Sequence, residues 1–184
     1  MTETIKQLSE SIAKKYEDSQ KRVDLVINQN LLLCLYDLGK KISIAHSKIT
    51  NEPMFYVQLS NLLSTRIKSF EMIKAENLEL YERFYNLYQQ YYSQFPFDYE
   101  KAMDGTFITD SLYRIISIPW SFHMLILNKC RDVHEAFFYV DETYYCGWTI
   151  DQLFQHLEKN SYKDPHYDVD ATGRSFFNDI EKRK

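Results

Sequence analysis

Apolar residues recur every three or four positions from about Thr4 to Ser47. Ile5, Leu8 and Ile12 begin the series, and after a polar stretch Val23, Ile27, Leu31, Cys34, Leu38 and Ile42 continue it. That spacing marks one face of an α-helix. Leu25, Leu32 and Leu35 widen the second half, so burial on more than one side is expected there. The pattern fits one helix or two that break near Ser19. Asn51-Glu52-Pro53 interrupts the chain. Phe55, Leu59, Leu62, Leu63, Ile67 and Phe70 then predict a second amphipathic helix. From Met72 to Phe95 a longer helix places Leu80, Phe84, Leu87 and Tyr91 on one stripe, with Leu78, Tyr81, Tyr85, Tyr88 and Tyr92 beside it. Pro96 ends it, and Asp104-Gly105 is a turn dipeptide suited to a loop or small hairpin.

The most structured signal runs from Ile118 to Leu157. Pro119 is placed to open a helix, because its fixed φ suits the first helical position. Trp120, Met124 and Leu127 follow at i, i+4 and i+7. Asp132 is placed to cap a second helix with Ala136, Phe137 and Val140 inward, and Gly147 to close it in the left-handed conformation. Thr149 and Gln152 make a capping box for a third, whose apolar residues are Leu153 and Leu157. Three short helices joined by tight turns form a compact unit, a geometry that helix-turn-helix binding modules also use. The expected fold is all-α: six or seven helices over residues 1–160, with a helix-turn-helix-like unit at about 118–157 and a tail over 161–184.

Composition supports this picture. Only four Gly and four Pro in 184 residues leave little material for the turns of a many-stranded β architecture. Hydrophobic residues at 45% and charged residues at 26% are ordinary for a globular chain and argue against wholesale disorder. Fifteen Tyr and twelve Phe at helical spacing read first as packing, not as a base-stacking platform. A net charge of −4 argues against coating nucleic acid through bulk electrostatics. The basic residues of the first helical stretch, Lys14, Lys15, Lys21, Arg22, Lys40, Lys41 and Lys48, are interspersed with acids and read as a solvated face. Cys34, Cys130 and Cys146, without a CxxC pair, read as reduced and mostly buried thiols. The polar start of the chain and the lack of a long apolar run predict a soluble cytoplasmic protein with no membrane segment.

Catalytic and metal chemistry find no constellation. His134-Glu135 lacks the second His of a zinc-protease motif, and no Gly-rich phosphate loop or nucleophile elbow is present. Asp168 to Asp179 partly imitates a calcium loop, but position eight is Ser175 and position twelve is Asp; a turn is the expected reading. His46, His123, His134, His156 and His166 are scattered, and His123 inside an apolar helix reads as a packing histidine. No cofactor, metal or catalytic residue is expected.

Several local patterns together resemble the N-terminal domain of YhcG-type proteins, a helical domain usually followed by a PD-(D/E)XK nuclease domain. An early pattern like N-x-x-L-x-x-L-Y-x-x-G-x-x-I is met by Asn28 to Ile42, NQNLLLCLYDLGKKI. One like N-L-x-x-M-x-x-F-Y is met by Asn77 to Tyr85, NLELYERFY, with Tyr81 in the Met place. The fullest match carries Ile118-Pro119-Trp120, Lys129, Asp132, Phe138-Tyr139, Gly147-Trp148-Thr149 and Leu153. The family's His after the Trp is Phe122 here, with His123 next. Its usual basic positions hold Ala75, Glu76, Ala136 and Asp151. No nuclease half is expected here: no lysine has Asp or Glu two residues before it, so the (D/E)-x-K triplet that serves a metal-activated water does not occur in these residues.

The resemblance implies a non-catalytic binding module that assists or regulates a nuclease or DNA-handling assembly, with a protein partner expected and only weak nucleic-acid contact. Lys74, Arg83, His123, Arg131 and the terminal Lys182, Arg183 and Lys184 are the candidate contacts to DNA or partner. The alternative expectation is a phage or mobile-element inhibitor. It would occupy a basic groove of a host nucleic-acid-processing enzyme through an acidic face of Glu71, Glu76, Glu79 and Glu82.

Overall fold

A computed structural model of the chain describes residues 3–49, 54–68, 71–92, 110–164 and 167. Among them are seven α-helices and no strand: α1 Glu3–His46, α2 Phe55–Ser64, α3 Ala75–Tyr92, α4 Asp110–Ser117, α5 Trp120–Lys129, α6 Val133–Cys146 and α7 Ile150–Lys159. Single 3-10 turns stand at Glu71–Ile73 and Ser161–Lys163. The all-α expectation holds. No helix among the described residues is long and apolar enough to cross a membrane.

The first helix is unbroken over 44 residues, so Ser19 does not divide it. Its two ends live in different surroundings. Every residue from Ile5 to Asp24 is exposed, while Leu32, Leu33, Leu35, Tyr36 and Ile42 lie in the core. The N-terminal stripe expected to be buried is therefore in solvent. At about 100° per residue, Leu32, Leu35 and Gly39 fall on the side of α1 opposite Ile5, Ile12 and Val23. Of the stripe as read, Leu31, Cys34 and Leu38 are half-buried and Ile42 is buried, while the core is entered mainly through Leu32 and Leu35 beside it.

The long aromatic helix α3 packs along the C-terminal half of α1. Leu78, Tyr81, Phe84, Leu87 and Tyr88 are buried there, and the Tyr36 ring meets Phe84 and Tyr85 edge-on. Gly39 sits at the crossing, against the Tyr81 carbonyl. The second helix caps the far end of this pair with Phe55, Leu59 and Leu63 half-buried. Leu62 is exposed and Ile67 lies beyond the helix. Phe70, Phe95 and Asp104-Gly105 lie outside the described residues.

Sequence reading passed over α4, although Leu112, Ile115 and Ile116 at i, i+3 and i+4 are its buried face. It is tied at both ends of the fold. The Asn28 amide of α1 donates to the carbonyls of Ile116 and Ile118, each at 3.0 Å, and Arg114 pairs with Asp141 of α6 at 2.6 Å.

The last three helices follow their sequence signals closely. Pro119 stands as the N-cap of α5, one place before the expected first helical position. The Asp132 carboxylate accepts from the amides of His134 and Glu135, at 2.9 and 3.1 Å. Gly147 closes α6 at φ 64°, and the Thr149–Gln152 capping box opens α7. Leu153 and Leu157 are buried under it. Of the three cysteines, Cys130 is buried and Cys34 half-buried; Cys146 is exposed, contrary to expectation.

Candidate functional site

Two of the predicted basic contacts come together between α3 and the end of α5. A helix leaves its last four carbonyls without internal partners. Here the Leu127 carbonyl takes two guanidinium donors: Arg83, reaching across from α3, and Arg131 Nη1 at 2.7 Å, folded back from just beyond the helix. Arg131 also donates to the Cys130 carbonyl at 3.2 Å. The negative end of the α5 dipole draws both cations to this place. Each guanidinium has five N–H donors, so donors remain after the capping bonds are made. They border a cavity of about 160 Å³ with Asn86, Gln90 and Cys130. It is smaller than the ~300–1,000 Å³ of ligand pockets, which leaves room for an anionic group and not for a nucleoside. Burial pushes the Cys130 thiol up to about 12, so it stays protonated beside them and is no nucleophile.

The other candidates part company with this pair. His123 is fully buried, and contact with DNA or a partner is closed to it. Its Nε2–H donates to the Ile115 carbonyl at 2.8 Å, and the Tyr88 hydroxyl donates to Nδ1 at 3.2 Å. Burial lowers its pKa to about 4, which keeps the ring neutral. Phe84 and Trp120 flank it, with ring centroids at 5.0 and 6.3 Å. Lys74 stands before α3, about 13 Å along the axis from Arg83, and pairs with Glu71 at 2.8 Å. Lys182, Arg183 and Lys184 lie outside the described residues, as does the calcium-like segment from Asp168.

The acidic face is also rearranged. Glu71 belongs to the 3-10 turn and not to α3, and Glu82 is 8% exposed. The Glu82 carboxylate faces inward, accepting from the Tyr56 hydroxyl at 2.7 Å and from His46 Nδ1 at 3.0 Å. Phe55 stacks on His46, with centroids 4.3 Å apart and planes 3° from parallel. Burial, followed by the bond to Glu82, raises the Tyr56 pKa. This cluster joins the end of α1 to α2 and α3. Only Glu76 and Glu79 remain as exposed acids of α3.

The feature that sequence reasoning missed is the outer end of α1. Ile5, Leu8, Ile12, Tyr16, Val23, Val26 and Ile27 are 49% to 66% exposed. They lie within about 100° of one another on the helix wheel. The signal was present as periodicity, but a stripe shows only that something covers it, not that the covering belongs to the same chain. Among the described residues, no group of three His, Cys, Asp or Glu side chains is placed to hold a metal ion.

Comparison with curated proteins finds no match, and none is found among solved structures. A family model does match, the DUF1016 N-terminal domain, over residues 11–164. That span takes in Asn28, Gly39, Trp120, Asp132, Gly147 and Thr149, the residues that carry the resemblance to YhcG-type proteins. The chain belongs to the DUF1016 N-terminal domain family.

Proposed function

We propose that this chain is a non-catalytic binding module that assists or regulates a nuclease or other DNA-handling assembly, and that the outer end of α1 is a protein-docking surface. The observation that carries the reading is the apolar stripe from Ile5 to Ile27, held in solvent by a helix whose other half is anchored in the core. Seven large apolar side chains on one exposed face are more than single scattered hydrophobics, and such patches mark interaction sites. The link to DNA handling comes from the family resemblance, in which this domain usually precedes a nuclease. Arg83 and Arg131 are the described basic residues best placed to touch a phosphate, and any such contact weakens steeply with added salt.

The test is recovery of partners from the native host with DNase-treated lysate, using the wild-type chain and the double variant Ile12→Glu/Tyr16→Glu. Both positions are exposed, so the body should fold unchanged. A nuclease or DNA-processing protein captured by the wild type and lost by the variant supports the reading. The same proteins captured by both would refute docking of a host protein on α1.

A further inference from the structure

The partner on that stripe is identifiable from the helix itself. We infer that the outer end of α1 pairs with the same segment of a second copy, antiparallel and centred near Tyr16. This rests on the reading of the stripe as a docking surface and gives it a second copy in place of a host protein. Three observations point to a second copy. The first is symmetry: Ile5 and Ile27 stand eleven residues to either side of Tyr16, and Leu8 and Val23 eight and seven. An antiparallel mate therefore sets Ile5 against Ile27 and Leu8 against Val23, with Tyr16 beside its own counterpart. Ile12 then faces Gln20 and Val26 faces Lys6, so five of the seven large apolar residues meet an apolar mate.

The second is charge. From Ile5 to Asp24 the helix carries four acids (Glu10, Glu17, Asp18, Asp24) and five bases (Lys6, Lys14, Lys15, Lys21, Arg22). A second copy meets little net repulsion. Lys6 and Asp24 are eighteen residues apart, about five turns, and so share one flank of the stripe. A two-fold axis perpendicular to the helices brings like flanks together, which sets Lys6 of each copy near Asp24 of the other. The same axis brings Glu17, on that flank, near its own counterpart, so the favourable charge contacts are the two Lys6–Asp24 pairs.

The third is area. At roughly 90 Å² of apolar surface per exposed side chain, the five residues with apolar mates offer about 450 Å² on each copy, or about 900 Å² in the pair. That lies below the ~1,200–2,000 Å² of stable interfaces and fits a weak, concentration-dependent pair. The overlap is also self-limiting, because the body begins where the Asn28 amide joins α1 to the Ile116 carbonyl.

Sedimentation of the full chain from 1 to 200 µM tests the proposal. The expected result is a concentration-dependent species of twice the 22.1 kDa chain mass, with Ile12→Glu/Tyr16→Glu weakening association at least about 100-fold. Disulfide trapping in a Cys146→Ser background, since Cys146 is exposed, fixes the direction: Tyr16→Cys should cross-link to its own counterpart and Ile5→Cys should not. A monomer throughout the range, a dimer indifferent to the double variant, or trapping through Ile5→Cys would each overturn it. Should the chain stay monomeric while the same variant loses a host protein, self-pairing fails and the docking role of α1 stands.

Discussion

Replacing Gly39 by alanine should destabilise the domain by about 2–3 kcal/mol, against the usual benefit of that change in a helix. In an ordinary helix interior, glycine to alanine is favourable by about 1 kcal/mol. At this position α1 crosses α3 so closely that an added Cβ would fall on the Tyr81 carbonyl, 2.7 Å from its carbon and 2.9 Å from Tyr85 Cβ. Carbon–carbon contact needs about 3.5 Å. The helices would have to part by roughly 1 Å, and overpacking of this kind costs about 1–3 kcal/mol or more. The upper end applies, because the nearest atoms are backbone and the edge-on contacts of Tyr36 with Phe84 and Tyr85 would open together. A clash of about 3–4 kcal/mol less the propensity gain leaves the stated figure.

Urea unfolding followed by circular dichroism reads the change, and a thermal midpoint lower by about 5–10 °C should accompany it. Ser19→Ala, on the exposed end of the same helix, is the control and should move stability by less than about 0.5 kcal/mol. Tyr85→Ala should not rescue Gly39→Ala, because truncating a side chain leaves the Tyr81 carbonyl where it is. A Gly39→Ala protein as stable as the wild type, or more so, would refute the close crossing.

Two further outcomes follow from the same packing. His123 has a folded pKa of about 4, below its ordinary 6.5 because burial disfavours the charged ring. The unfolded chain therefore takes up the proton first. The stabilisation is whole above pH 6.5 and is lost as pH falls toward 4, by about 3 kcal/mol in all. His123→Gln, which keeps a donor for Ile115 and an acceptor for Tyr88, should flatten the urea-midpoint profile across that window; an unchanged slope would show that other groups set it. Asp132→Ala removes two capping bonds at the start of α6 and should cost about 1 kcal/mol. A loss below about 0.3 kcal/mol by urea unfolding would mean that the cap carries no net weight.

How much of this was legible in the chain divides along physical lines. Local chemistry was: the Asp132 cap, the αL Gly147 and the Thr149–Gln152 box each depend on residues within a few positions of one another, and each stands where its sequence signal placed it. What depends on distant residues was not. The sequence does not show that Arg83 would cross to the Leu127 carbonyl beside Arg131, 48 positions away. It does not show that Glu82 would turn inward to Tyr56 and His46 and leave the acidic face. The short α4 was readable from Leu112, Ile115 and Ile116, but an eight-residue helix offers barely two turns of periodicity.

The residues that identify the family are those that build its body. Asn28 closes the end of α4, and Gly39 lets α1 meet α3. Trp120 packs against Tyr81 and Phe84, with centroids at 5.8 and 5.3 Å, while Asp132, Gly147 and Thr149 begin and end helices. A motif made of such residues specifies a scaffold and is silent about what the scaffold holds. The places free to vary with a partner are then those the motif leaves alone: the exposed stripe of α1, and the donors of Arg83 and Arg131 not spent on the Leu127 carbonyl. These surfaces make opposite demands on a ligand. The stripe gains from excluding water along an apolar face, which salt barely weakens, whereas the two guanidiniums act through charge that salt screens. Salt titration of any complex this chain forms therefore separates them. On the proposed reading, binding that survives high salt is expected from α1, and binding lost by moderate salt from the arginine pair.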